Sequence, residues 1–195
     1  MADILDGNPE TLLKKMRIIK EQSIALIIDV QERLYSHIHN FDELSRNTLI
    51  LIRGLKTLNI PFILTQQYTK GLGETITAIK EEIGDFNPIE KNSFSCCDEP
   101  EFMNALKKSG KKYVIIAGIE SHVCVLQTTI DLINRAYVPV VIEDCVSSRK
   151  YRDKEMAIER MRQEGAIIST YESILFELCR FAGTSQFKEI SKIVK

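Results

Sequence analysis

One cysteine follows a strand-like segment at a position that favours a chemical role. The run from Tyr113 to Ala117 is apolar and rich in β-branched residues, it ends at Gly118, and Cys124 then opens a helical pattern. A thiol at a helix N-terminus lies near free N–H groups and the positive end of the helix dipole, which favour the thiolate. The pattern therefore predicts a nucleophile at Cys124 or, as the ordinary alternative, a small apolar residue that packs a helix onto a sheet.

Two charged residues also stand where strand-like segments end. Asp29 follows the apolar run 24–28, and Lys91 ends a shorter extended segment that begins at Phe86. An aspartate can accept a thiol proton, and a lysine can stabilise the negative charge that results. The alternative for these two residues is an ion pair at the edge of a sheet with no catalytic role.

The segments that must position these residues alternate between strand and helix patterns. Strands are predicted at 24–28, 61–65, 86–91, 113–117, 138–142 and 166–168. Helices are predicted at 41–58, 74–83, 99–109, 125–133 and 154–163, from 171 and from 185, and as a peripheral N-terminal helix within 1–20. Loops are predicted at 66–73 and 143–149. The alternation predicts one α/β domain over residues 1–195, with three α-β-α layers and a doubly wound, mainly parallel six-stranded sheet.

The order of strands in such a sheet brings the three candidate residues together. With the common order 3-2-1-4-5-6, strands one and four are neighbours at the point where the winding reverses, and ligands bind beyond the carboxyl ends of the strands there. Asp29, Lys91 and Cys124 all follow such ends. Because three reactive side chains from distant segments converge at one edge, the topology favours a catalytic role for Cys124 over a packing role.

Composition argues against several classes of protein. The 195 residues include 26 Lys and Arg and 27 Asp and Glu, for a formal net charge of −1, so there is no basic track for a phosphate backbone. The apolar runs are too short to span a bilayer, and residues 1–10 lack the apolar core of a signal peptide. Five cysteines without paired spacing suggest reduced thiols. A cytoplasmic protein without nucleic-acid or membrane partners is expected.

Three motifs in this order resemble the isochorismatase-like superfamily of cysteine hydrolases. They are Ala25 to Gln31, Glu90 to Phe94, and Ala117 to Cys124, and the resemblance covers nearly all of residues 20–180. Within the superfamily, the segments 66–73, 119–124 and 186–190 are most similar to isochorismatase domain-containing and YcaC-like proteins.

The resemblance implies a set of roles for the site residues. It implies a catalytic triad of Asp29, Lys91 and Cys124, a cis peptide bond between Ile119 and Glu120, and an oxyanion hole formed by the N–H groups of Glu120 and Cys124. The expected substrate contacts are made by Gln31, Gln67, Tyr68, Phe94 and Ile119. Tyr68 and Phe94 have the alternative of simply covering the sheet.

The implied activity is hydrolysis of a small amide, ureido or imide-like substrate through a thioester on Cys124, without a cofactor, in a homo-oligomer. Members that act on nicotinamide carry an Asp-x-His metal site after strand two, where this chain has Gln66, Gln67 and Tyr68. No metal is therefore expected. True isochorismatases have aspartate at the position of Cys124, so the isochorismatase reaction itself is not expected.

Other residues carry weaker expectations. Glu120 replaces the small or hydroxyl residue that is usual after the cis bond, and its carboxylate would repel an anionic substrate. His122 lies two residues before Cys124 and would not face it on a helix, so it is interpreted as a hydrogen-bonded turn or interface residue. Arg149 is interpreted as a solvated residue. Two rival functions remain: a non-catalytic binding or scaffolding protein of the same fold, and a nuclease.

Overall fold

The computed structural model describes residues 17–195, in which six strands form a single sheet. All neighbouring strands pair in parallel, in the order β3-β2-β1-β4-β5-β6. The strands are β1 (Ser23–Ile28), β2 (Phe62–Gln67), β3 (Ile89–Lys91), β4 (Tyr113–Ile119), β5 (Val138–Ser147) and β6 (Ile167–Ser169). The predicted fold class and strand order are confirmed.

Helices connect the strands and cover both faces of the sheet. They are α1 (Glu32–Tyr35), α2 (Phe41–Thr57), α3 (Thr69–Leu72), α4 (Thr77–Ile83), α5 (Pro100–Ser109), α6 (Leu126–Asn134), α7 (Tyr151–Gln163), α8 (Tyr171–Cys179) and α9 (Ser185–Ile193). Short 3-10 turns occupy Lys20–Gln22 and Cys96–Asp98, and Ser121–Val125 forms a π-helical turn before α6. The predicted N-terminal helix falls mainly on residues 1–16, outside the described residues, and residues 17–19 are not helical.

The sheet separates two hydrophobic cores because successive side chains of a strand point to opposite faces. Ile27 of β1 packs into the core formed with α2, α4, α8 and α9. Leu26, its neighbour, packs into the core formed with α5, α6 and α7. Every residue of β1 and of β4 is buried, as expected for central strands of a parallel sheet covered on both sides.

Two strands extend beyond their predicted ends. β2 continues through Gln67, which pairs with Lys91 of β3, so the loop predicted from residue 66 is wrong at these positions. β5 continues to Ser147, so the loop predicted at 143–149 is also wrong over most of its length.

The pairing of β4 with β5 is interrupted after Ile116 and resumes when Gly118 pairs with Val146. A bulge of this kind lets a strand re-enter the ladder past unpaired residues.

Gly118 allows the ends of β1 and β4 to approach closely. It pairs with Ile28 and has a φ of 130°, and a Cβ atom built on it would lie 2.1 Å from the carbonyl oxygen of Ile28. A side chain at this position would meet backbone atoms that cannot move without disrupting the ladder, so glycine is required here. The close approach brings Asp29, directly after β1, next to the segment that follows β4.

Candidate active site

Asp29 is the first residue after β1, and its carboxylate is fully engaged in the protein interior. It is 1% exposed, and its backbone has a left-handed φ of 50°. Thr65 Oγ1 donates a hydrogen bond to Asp29 Oδ1 over 2.7 Å, and Lys91 Nζ donates to Asp29 Oδ2 over 2.6 Å. Strand register explains the first contact, because Ile28 pairs with Thr65 of β2.

Lys91 ends β3 and is buried together with Asp29. Its Nζ also donates to the carbonyl oxygens of Ser93 over 3.1 Å and of Phe94 over 3.3 Å. Burial is the largest single effect on Lys91 and opposes its charge, but the negative charge of Asp29, the nearby Cys96 and Cys124 and the hydrogen bond to Asp29 together outweigh burial and raise the pKa of this ammonium above its ordinary value. Lys91 is therefore a positive charge held in place at this edge of the sheet.

Cys124 lies in the π-helical turn, two residues before α6 begins, and its thiol is buried. Sγ donates a hydrogen bond to Gln67 Oε1 over 3.1 Å. Burial raises the pKa of the Cys124 thiol, and the charge of Asp29 raises it further, while Lys91 opposes these effects only in part. The helix N-terminus favours the thiolate, whereas burial and the charge of Asp29 favour the protonated thiol.

The turn that carries Cys124 begins with a cis peptide bond between Ile119 and Glu120. The carbonyl oxygen of Glu120 accepts hydrogen bonds from the N–H groups of Val123 and Val125, over 3.1 and 3.2 Å. These contacts close the turn from Ser121 to Val125 and bring the backbone of residues 120 and 124 into one compact loop after β4.

The carboxylate of Glu120 is paired. Its Oε2 accepts hydrogen bonds from the backbone N–H and from Nε of Arg149, each over 3.0 Å. Arg149 was interpreted from the sequence as a solvated residue, and that interpretation missed this ion pair. The missing signal was the extension of β5, which carries Arg149 next to the turn.

Gln31, one of the expected substrate contacts, has a side chain that is held by backbone groups. It is fully buried, and its amide binds backbone groups on both of its sides. Nε2 donates to the carbonyl oxygens of Gln67 over 3.0 Å and Gly73 over 2.7 Å, and Oε1 accepts from the Gln67 N–H over 2.7 Å. Gln31 thus fixes the segment that carries Gln67, and both N–H groups of its amide are used by backbone carbonyl oxygens.

The other expected substrate contacts occupy two different environments. Ile119 is fully buried and packs against Ile38 and Leu44, away from solvent. Tyr68 and Phe94 are 55% and 53% exposed at the ends of β2 and β3. These two aromatic side chains and the half-buried Gln67 are therefore the expected contacts that a ligand can reach from solvent.

Tyr68 is held against the glycine of the next short helix. Its backbone is left-handed, with a φ of 42°. A Cβ atom built on Gly71 would lie 2.3 Å from two carbons of the Tyr68 ring. The absence of a side chain at Gly71 thus lets the ring pack against the backbone of α3.

Three residues near the site were not singled out by sequence reasoning. Thr65 binds Asp29, Cys96 Sγ lies 3.9 Å from Thr65 Oγ1, and Thr128 Oγ1 accepts the Cys96 N–H over 2.9 Å. Burial raises the pKa of Cys96 to about 12. Strand register could have identified Thr65, whereas the position of Cys96 depends on tertiary packing.

His122 has the environment expected of a hydrogen-bonded turn residue. Its Nδ1 lies 2.9 Å from Ser148 Oγ, and its Nε2 lies 3.9 Å from a carboxylate oxygen of Asp153.

Within residues 17–195, no group of three or more His, Cys, Asp or Glu side chains is arranged to hold a metal ion. In the same part of the chain, no helix has the length and apolar character needed to cross a membrane.

Comparison with known protein sequences identifies relatives over most of the chain. The isochorismatase domain family matches residues 23–173. Isochorismatase family protein 1B of Dictyostelium discoideum is 40% identical over 184 residues, which cover 92% of this chain and 89% of that protein.

Solved structures share the whole architecture. The Mar1 ribonuclease of Caenorhabditis elegans superposes with a TM-score of 0.85 at 40% identity, over 91% of this chain and 92% of the other. YcaC of Escherichia coli, described as an octameric hydrolase of unknown specificity, superposes with a TM-score of 0.86 at 27% identity, over 91% and 89% of the two chains. The predicted resemblance to YcaC-like proteins is confirmed, and the chain belongs to the isochorismatase family.

Proposed function

We propose that this protein is a hydrolase in which Cys124 attacks the carbonyl carbon of a small amide, ureido or imide-like substrate. Asp29 and Lys91 complete the triad. The observation that carries the proposal is the buried 2.6 Å contact between Lys91 and Asp29 next to a buried thiol. Charged groups are rarely sequestered in this way without a specific task, since burial of an ion pair is costly.

The first half of the reaction forms a thioester. The thiol proton of Cys124 passes to the Asp29 carboxylate as the sulfur forms a bond to the carbonyl carbon. The raised pKa of the thiol supports this order, because the proton stays on sulfur until a base removes it during attack. As the proton leaves, the positive charge of Lys91 stabilises the negative charge that develops at the sulfur.

The leaving group departs in the next step. The N–H groups of Glu120 and Cys124 bind the oxyanion of the tetrahedral intermediate. When the C–N bond breaks, Asp29 returns its proton to the leaving nitrogen and the thioester remains.

Water completes the cycle. Asp29 takes a proton from a water molecule as its oxygen attacks the thioester carbon. The C–S bond breaks and Asp29 gives its proton to the sulfur, and the acid that forms leaves as a carboxylate or carbamate after losing its own proton to solvent. The net reaction adds one water across the C–N bond, and the proposed cycle uses no cofactor or metal.

Assembly and location are part of the same proposal. The octameric state described for Escherichia coli YcaC supports a homo-oligomer for this chain. The composition supports a cytoplasmic location, without nucleic-acid or membrane partners.

Hydrolysis of RNA is the second candidate function, because the Caenorhabditis elegans relative is described as a ribonuclease. The formal net charge of −1 gives little general attraction for a polyanion. RNA cleavage that persists in purified protein and disappears in Cys124→Ala would favour this candidate over amide hydrolysis.

The proposed amide hydrolysis is tested with a library of small amides, ureides and imides. The wild type is compared with Cys124→Ala and with the matched control Cys145→Ala, which removes a fully buried thiol of β5. We expect turnover in the wild type and the control and none in Cys124→Ala, and a mass increase on Cys124 that matches the acyl fragment of the substrate.

Turnover that survives in Cys124→Ala contradicts the mechanism. A protein that hydrolyses nothing in the library, and whose binding to a partner is unchanged in Cys124→Ala, fits the scaffolding alternative instead.

A further inference from the structure

A buried carboxylate lies beside the turn that carries the nucleophile. The side chain of Glu120 is 7% exposed, whereas that of its partner Arg149 is 59% exposed. Both hydrogen bonds between them converge on one oxygen, Glu120 Oε2. A half-exposed guanidinium thus balances a carboxylate that solvent hardly reaches.

Tertiary structure directs Arg149 to this position. Ser147 pairs with Ile119 at the ends of β5 and β4, and Ser148 Oγ contacts His122 of the nucleophile turn. The segment before Arg149 is therefore fixed against the turn on both sides. As a result, the guanidinium and the backbone N–H of the same residue both point at the carboxylate.

An unpaired carboxylate at residue 120 would oppose the proposed chemistry. Negative charge develops on the Cys124 sulfur when its proton leaves and on the substrate oxygen when the carbonyl is attacked. Glu120 supplies one backbone N–H to the proposed oxyanion hole, so its own side chain begins only a few bonds from that charge. Like charges repel strongly in a poorly solvated site, and an opposite charge close to the carboxylate cancels most of this repulsion.

We propose that Arg149 is a positioning residue for the Cys124 site, which neutralises Glu120 so that negative charge can develop at the sulfur and so that substrates bearing a carboxylate are admitted. The inference rests on the proposed function. It assigns a role to a residue outside the triad and reverses the expectation that Glu120 repels anionic substrates.

Two alkylating reagents of nearly the same size but different charge test the inference. Iodoacetamide is neutral and iodoacetate carries one negative charge, so the ratio of their rates at Cys124 reports the local electrostatic potential. The ratio is measured by peptide mass spectrometry at several pH values from about 8.5 upward, because an ordinary thiol is half ionised at that pH and burial keeps Cys124 protonated to higher pH. The variants are Arg149→Met, Glu120→Gln, the double variant and Arg149→Lys, and circular dichroism checks that each is folded.

We expect Arg149→Met to lower the iodoacetate to iodoacetamide ratio about tenfold, because a buried charge is then uncompensated. Adding Glu120→Gln should restore the ratio, and Arg149→Lys should retain most of it. If Arg149 only held the turn in place, Arg149→Met would change the rates of both reagents equally, and Glu120→Gln would not reverse that change. An unchanged ratio in Arg149→Met therefore overturns the inference. If neither reagent modifies Cys124 in the wild type at any pH at which the protein stays folded, the thiol is closed to small electrophiles, and the proposed function and the inference fail together.

Discussion

Lys91 Nζ lies 2.6 Å from Asp29 Oδ2, and the two side chains are 0% and 1% exposed. The remaining carboxylate oxygen of Asp29 accepts the hydroxyl of Thr65, and Lys91 also binds two carbonyl oxygens. The pair is therefore satisfied by hydrogen bonds as well as by charge, which is the condition under which a buried ion pair persists. The two opposite charges thus form a pair of fixed geometry, with no net charge, beside the Cys124 thiol.

Removing both members of this pair should destabilise the fold by less than the sum of the two single losses. Lys91→Met leaves a buried carboxylate without its counter-charge, and we expect a loss of about 3–5 kcal/mol in the free energy of unfolding. Asp29→Asn should cost a similar amount. The double variant should lose clearly less than the sum, since no uncompensated charge remains. Urea denaturation at one fixed protein concentration measures the cycle, and strictly additive losses would show that the two residues do not interact.

The pH at which Cys124 becomes reactive should respond to the two charges in opposite directions. Burial and Asp29 raise the pKa of this thiol, so it stays protonated to higher pH than an ordinary cysteine. Asp29→Asn should move the iodoacetamide profile to lower pH, and Lys91→Met to higher pH, while turnover is lost in both. The half-buried Cys179 serves as the reference thiol in the same samples. A profile that moves upward in Asp29→Asn would contradict the electrostatic role given to this aspartate.

Gln31 should matter for the position of Gln67. Gln31→Met removes three hydrogen bonds to backbone groups and leaves buried polar atoms without partners, which we expect to cost about 2–4 kcal/mol. Hydrogen exchange at the Gln67 N–H should also become faster in this variant. Gln163→Met, an exposed amide of α7, is the matched control and should change neither quantity. Normal exchange at Gln67 in the Gln31 variant would mean that another group holds this segment.

Gly71 should control the mouth of the site through Tyr68. In Gly71→Ala the new methyl group collides with the Tyr68 ring, which is half exposed and can move aside. We expect the free energy of unfolding to change by less than about 1 kcal/mol, since alanine also favours the helix. The KM of a hydrolysed substrate should change at least about threefold with little effect on kcat, as a loss of uniform binding predicts. Tyr68→Leu should have the same effect, and an unchanged KM in both variants would remove Tyr68 from the substrate contacts.

Local pattern was sufficient for most of the fold. Continuous apolar runs predicted the buried central strands β1 and β4, and their alternation with helices predicted the parallel sheet and its order. The same reasoning failed for the second half of β5, because Glu143 and Asp144 are residue types that are depleted in strands. Distant partners stabilise that segment: the Asp144 carboxylate accepts the Tyr171 N–H over 2.9 Å, and its carbonyl oxygen accepts Asn47 Nδ2 over 3.0 Å.

The sequence by itself determined that Asp29, Lys91 and Cys124 lie at or after the ends of strands. Hydrophobic periodicity is a property of short segments, and strand order follows from the way the segments are connected along the chain. Tertiary structure decided the burial of Cys124, the hydrogen bonds that fix Gln31 and the pairing of Glu120 with Arg149, which lies 29 residues away. These features depend on burial and on hydrogen-bond partners brought together by strand register. Neither burial nor the identity of the hydrogen-bond partners can be read from the residues that adjoin each of these side chains in the sequence.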